Sequence, residues 1–239
     1  MRIAWLPAAA LFAATLVATP AHAETDRSMA FDLRFGGYFP SIDSEFSSSS
    51  ATPFQDTFGG SDRLLLQIGL EKLLFQKFGL IGVGGSLGYA EFYGHGFTVA
   101  SDGTTERSVD STAFKVLPIY AYASYRFDYA AQKWGVPVMP YGKIGLGTHI
   151  YWTTNGLGDT SGGGAGSGSR LGLMGALGLG LHLDAFDPRL AREFDADWGV
   201  NDSYFVVEYL VFKADGLGTS SGFDLSDSGV LCFGLALAF

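Results

Sequence analysis

The chain has 239 residues, with 15 Lys and Arg against 24 Asp and Glu, a net charge of −9, and a single cysteine. Its basic residues are scattered and form no cluster able to follow a phosphate backbone, which excludes nucleic acid as a partner on charge grounds. One cysteine leaves neither a disulfide nor a thiolate metal cluster.

Residues 1–23 read as a secretory signal. Arg2 supplies the positive start, 3–17 is apolar, and Ala21-His22-Ala23 is an A-x-A cleavage site, so the mature chain is expected to begin at Glu24. Pro7, Pro20 and the shortness of the apolar run argue against a membrane anchor. Taking 23 residues from 239 leaves 216, and losing Arg2 moves the net charge from −9 to −10.

Beyond that point the chain divides into alternating segments separated by polar or glycine-rich pieces, about eight in all. Segment 29–39 sets Phe31, Leu33, Phe35 and Phe39 against Asp32, Arg34 and Gly36. In 63–74, Leu64, Leu66, Ile68 and Leu70 alternate with Leu65, Gln67, Gly69 and Glu71. In 80–93, Ile81, Val83, Leu87 and Tyr89 oppose glycines, Ser86 and Ala90. Segment 111–127 is aromatic; its favoured phase puts Leu117, Ile119, Ala121, Ala123, Tyr125 and Phe127 outward.

In 139–153, Ile144, Leu146, Ile150 and Trp152 alternate with Lys143, Gly145, Gly147, His149 and Tyr151. Segment 170–184 carries Leu171, Leu173, Leu177, Leu179, Leu181 and Leu183 on one face, and glycines, Met174, Ala176, His182 and Asp184 on the other. In 203–213, Phe205, Val207, Tyr209 and Val211 oppose Tyr204, Val206, Glu208 and Leu210. The closing run 230–239 pairs large Leu231, Phe233, Leu235, Leu237 and Phe239 with small Val230, Cys232, Gly234, Ala236 and Ala238.

Strands with a large apolar face and a slim second face suit a barrel wall in lipid, whereas a soluble sheet contrasts apolar with polar at its surface. The fold class expected is therefore all-β: a transmembrane antiparallel up-and-down barrel of about eight strands, spanning 24–239 as one domain. Connectors near 40–62, 94–110, 154–169 and 214–227 are long, and those between them shorter, as outer loops and periplasmic turns should be. The connector 185–201 breaks that pattern, and Pro188 opening 188–194 reads as a helix start. Tyr89, Tyr93, Tyr125, Phe127, Trp152, Phe205, Tyr209 and Phe239 fall near strand ends, where aromatic girdles form.

The inward faces carry Asp32, Arg34, Glu71, Lys143, His149, His182, Asp184 and Glu208. An eight-stranded lumen is about filled by side chains, so these groups are expected to pair in an interior polar network. Phe233, Leu235, Leu237 and Phe239 form an alternating strand with an aromatic C-terminus. That pattern resembles the signal read by the barrel assembly machinery, which with periplasmic chaperones is the expected partner during biogenesis. In the mature state the expected partners are outer-membrane lipid and lipopolysaccharide. No cofactor is implied, since the glycine-rich runs follow no phosphate-loop pattern.

Phe31-Asp32-Leu33-Arg34-Phe35-Gly36-Gly37-Tyr38-Phe39-Pro40, Tyr125-Arg126-Phe127-Asp128, Val136-Pro137-Val138-Met139-Pro140-Tyr141-Gly142-Lys143 and Phe205-Val206-Val207-Glu208-Tyr209 carry a further reading. Together with the terminal run they resemble a family of outer-membrane β-barrel proteins of the myxobacterial type, small barrels of the OmpA and OmpW kind. The resemblance implies outer-membrane location and no chemistry.

A structural or surface-interaction role leads. A narrow, porin-like channel or transporter for small or hydrophobic solutes is the alternative, and a lipid A-modifying acyl hydrolase or transferase the second. The enzyme would need a serine nucleophile with a histidine base and a carboxylate. His95 lies in an outer loop near Ser101 and Asp102 in sequence, and G-x-S-x-G is not met in a strand-to-helix context, so catalysis is not expected. His149 and His182 on neighbouring strands lack a third ligand, so no metal site is expected either.

Overall fold

The computed structural model describes residues 27–47, 49–76, 78–99, 103–129, 135–160, 166–218 and 222–239; the signal reading of 1–23 lies outside them. Eight strands form one closed barrel in sequential order: β1 Met29–Tyr38, β2 Arg63–Gln76, β3 Leu80–Val99, β4 Thr105–Arg126, β5 Val138–Asn155, β6 Ser167–His182, β7 Asp202–Lys213 and β8 Asp227–Ala238. Every neighbour is antiparallel, and β8 returns to β1 from Ala30↔Ala238 to Gly36↔Cys232, so the sheet has no free edge.

Alternation decides which side chains see the interior. Leu171, Leu177 and Leu235 stand 61%, 73% and 50% exposed on the outer wall, whereas Arg34, Glu71 and Glu208 are buried inside it. Among the described residues no helix is long and apolar enough to cross a membrane.

Glycine makes the closure possible where walls approach. Gly234, on the β1–β8 seam, faces Arg34; a Cβ there would run into the Leu33 carbonyl oxygen and lie 2.8 Å from the Arg34 Cα. At Gly147 a Cβ would meet the Tyr120 Cα at 2.7 Å, so that glycine makes room for an inward aromatic ring.

Three stretches differ from the sequence expectation. The connector 94–110 is largely strand: the β3–β4 ribbon continues to Val99↔Thr105, with a register shift between His95 and Phe97. His95 thus pairs with Ser111 rather than sitting in a loop. A two-stranded ribbon beyond the barrel has no buried face, so its hydrogen bonds continue without a readable apolar period. Strand β6 ends at His182; Leu183 and Asp184, expected on the strand, belong to a 3-10 turn, Leu183–Ala185.

The connector 39–62 carries a 3-10 turn, Ile42–Phe46, and a short helix α1, Pro53–Phe58, neither legible from periodicity. The helix expected after Pro188 is present and longer than expected: α2, Pro188–Trp198. It does not plug the barrel, since Phe194 and Trp198 are 43% and 74% exposed.

Gly234→Val is expected to prevent closure of β8 on β1. Heat-modifiable migration on a detergent gel checks this: the variant should run only as the unfolded band, while Gly135→Ala, whose neighbourhood is open, runs as wild type apart from its strained turn.

Candidate functional site

The candidate site is the lumen, built in two unlike layers. The first lies toward the end where β1 starts and β8 finishes. From β1, the Arg34 Nε donates to Asp32 Oδ1 at 2.7 Å and a second guanidinium nitrogen reaches Glu208 of β7. Lys143 of β5 lies 3.3 Å from Asp32 Oδ2 and 3.4 Å from Glu208 Oε2. Its ammonium also sits 5.2 and 5.3 Å from the ring centres of Tyr122 and Tyr141, in cation–π range. A second pair completes the layer: Arg126 of β4 holds Glu71 of β2 at 2.8 Å, and the Ser124 hydroxyl donates to the same carboxylate.

Three acids therefore face three bases, all buried. Removing charges from water costs several kcal/mol per ion, so such a layer persists only when each charge is matched. The cavity beside it, lined by Asp32, Arg34, Arg126, Met139, Tyr141, Lys143, Val206 and Ala236, measures about 10 Å³, room for about one water.

The second layer fills the opposite half of the lumen and its mouth. Tyr38, Phe92, Phe114, Tyr120, Tyr151 and Phe212 point inward from five strands. Phe54 of α1 drops into their centre, with ring centres 4.9 Å from Phe58, 5.2 Å from Phe92, 5.3 Å from Phe114 and 5.6 Å from Phe39. Asp43 fixes this helix by accepting from the backbone N–H groups of Phe54 at 2.7 Å and Gln55 at 2.9 Å, the donors that a helix start leaves unpaired. Arg63 and Arg107 donate to the Phe58 and Asp56 carbonyls, which suits the negative end of the helix.

The candidates from the sequence divide accordingly. Asp32, Arg34, Glu71, Lys143 and Glu208 meet in the charged layer. His149 is buried in the aromatic half, where its Nδ1 lies 3.0 Å from the Tyr120 hydroxyl, and takes no part in ion pairing. His182 and Asp184 sit at the end where β1 starts and β8 finishes, apart from the lumen cluster and from His149. The two histidines lie far apart along the β5–β6 pair, since His149 pairs with Arg170 while Leu181, beside His182, pairs with Val138.

Arg126, absent from the expected network, is its third base; the outward phase of Tyr125 and Phe127 was the signal for it. The interior is glycine-lined and polar over one half only, the other half being aromatic. Phe233 and Leu235 face outward as expected, with Leu237 and Phe239 half-buried at the end of β8. The free Cys232 is buried against the lumen.

No protein-family model matches the sequence, and no curated protein matches it. Among solved structures, the chain is similar to Ail, the attachment invasion locus protein of Yersinia pestis, in complex with the heparin analogue sucrose octasulfate. Identity there is 14%, coverage 89% of this chain and 97% of that chain, and the TM-score 0.43. Neisserial surface protein A matches at 16% identity, 88% and 96% coverage and a TM-score of 0.46. The outer membrane protein OprG from Pseudomonas aeruginosa matches at 14% identity, 89% and 96% coverage and a TM-score of 0.46.

Two outcomes follow from the layers. Arg34→Met should destabilise the barrel by about 3–5 kcal/mol, because it strands Glu208 and Asp32 beside a single Lys143. Arg34→Met combined with Glu208→Met should recover part of that loss; urea unfolding in detergent measures both. Asp43→Ala should cost the α1 segment about 1 kcal/mol of local stability. Limited proteolysis should then cut 39–62 faster while the strands stay protected.

Proposed function

We propose that this protein is an integral outer-membrane barrel with a structural or surface-presenting role, its lumen sealed rather than conducting. Apolar side chains cover the outside of a closed sheet, which supports lipid as the surrounding solvent. Tyr125 and Phe205 toward one end, with Tyr89 and Tyr209 toward the other, are exposed where interfacial girdles would lie. The start of β1 and the end of β8 share the end with the β2–β3 connection, which suits a periplasmic side for that end. The larger connectors and the β3–β4 ribbon then face outward.

The single observation that carries the sealed reading is the filling of the lumen in series. A neutral ion-pair layer occupies one half and an aromatic plug the other, with a cavity of only about 10 Å³ at the ion layer. The expected partners are outer-membrane lipid and lipopolysaccharide, with Phe239 and its alternating strand read by the assembly machinery during insertion. The exposed Phe97 and Val99 on the projecting ribbon are the surface offered beyond the membrane.

Planar-bilayer recording of the folded protein tests this. Wild type should give no single-channel steps, and neither should Phe54→Ala, because the ion-pair layer still closes the path. Reproducible steps from wild type would replace the structural reading with transport.

A further inference from the structure

We propose that His182, Asp184 and Asp202 bind one divalent transition-metal ion of the zinc type at the end of the barrel where β1 starts and β8 finishes. Their ligand atoms all lie within 4.8 Å of one another. They come from the two ends of one connector: His182 closes β6, Asp184 lies in the 3-10 turn after it, and Asp202 opens β7.

Both carboxylates turn to the same ring nitrogen. His182 Nε2 lies 2.8 Å from Asp202 Oδ1 and 3.2 Å from Asp184 Oδ2. One ring N–H points in one direction and serves one acceptor well, while the ring's other nitrogen is a separate site. Two carboxylates converging on one nitrogen instead set three lone pairs about a common point. Neighbouring ligands on an ion with bonds of about 2.0–2.2 Å are separated by roughly 3 Å, the spacing already present between His182 Nε2 and each carboxylate oxygen.

The arrangement is held from outside the three residues. Asp184 accepts from the Ser203 backbone N–H at 3.0 Å and from its hydroxyl at 2.5 Å. The His182 ring stacks on Tyr204, with ring centres 5.0 Å apart and 18° between planes. Such supports orient ligands before a metal arrives.

Charge points the same way. Asp202 Oδ2 and Asp128 Oδ2 share Arg27, at 2.6 and 3.0 Å. Asp184 brings a second carboxylate to the same ring nitrogen. A divalent cation there would answer both the Asp184 and Asp202 carboxylates, whereas an imidazolium carries a single positive charge. One nitrogen and two oxygen donors suit a zinc-like ion, because calcium and magnesium favour all-oxygen shells. His182 and Asp184 are half-buried, which leaves an approach from solvent and a coordination position for water. A bound ion would pin both ends of the connector that bears α2.

The full chain folded into detergent micelles and titrated calorimetrically with zinc chloride at neutral pH tests the site. One zinc per chain is expected, with a rise in the unfolding temperature. His182→Ala should abolish the uptake, and Ser203→Ala should weaken it about 10-fold by releasing Asp184. His95→Ala, on the distant ribbon, should leave it unchanged. Should His182→Ala fail to fold by its gel migration, Asp184→Asn carries the same test. Absence of saturable uptake by wild type would overturn the proposal, as would uptake that survives His182→Ala or Asp184→Asn, or that is lost with His95→Ala.

Discussion

Charge neutrality inside a lumen that holds almost no water is the condition on which the barrel's internal order rests. Asp32 and Arg34 come from β1, Glu71 from β2, Arg126 from β4, Lys143 from β5 and Glu208 from β7, so the ion-pair layer ties together strands that are not neighbours. The hydrogen-bond ladders set each strand only against the next. A slip of one residue in any pair would turn that strand's charge toward the outside and its leucines inward. In lipid, an outward Arg or Lys at mid-depth costs about 2–4 kcal/mol, and the partners left inside would lose their match as well. The layer is thus a check on register all around the barrel.

The division of the lumen into a charged half and an aromatic half has a similar cause. Near the charged layer, glycines and alanines on β3, β6 and β8 leave volume for long Arg and Lys side chains to cross the lumen. Toward the opposite mouth, the inward positions carry rings that fill the lumen without needing charged partners. The rings still leave a central gap that no strand residue occupies, and Phe54 fills it from the 39–62 connector. That explains why a connector rich in serine folds back at all: its polar residues stay at the surface, and one buried ring with its capping carboxylate anchors the whole excursion.

Much of this was legible from sequence because a closed barrel wall, with one face of every strand inside and the other outside, enforces a strict period of two. The faces of β1, β2, β5, β6, β7 and β8 follow directly from large apolar residues alternating with small or polar ones, and five lumen charges follow from those faces. Arg126 escaped because aromatic side chains occupy both faces of β4, which blurs its phase. The plug escaped for a different reason: α1 is too short to nucleate alone, so its existence depends on Asp43, Phe92 and Phe114, which local pattern does not bring together. The convergence of His182 with Asp202 was equally hidden, since a full connector separates them and only the β6–β7 register brings them back to one point. The Pro188 helix start, by contrast, is a local signal and was readable as such.

The two layers also bear on transport through the lumen. The plug hangs on a connector, so displacing α1 could in principle clear the mouth without disturbing the wall. The ion pairs offer no such hinge, because every member is a strand residue fixed by ladders on both sides. Opening a path there would mean separating matched charges in a space that admits about one water to solvate them, with the cost of each stranded ion falling on a wall that cannot widen without breaking hydrogen bonds. Presentation of connectors at the surface requires no such deformation. A rigid wall with a neutral, locked interior is the better scaffold for holding a projecting ribbon in place, and that asymmetry of cost favours the surface role over conduction.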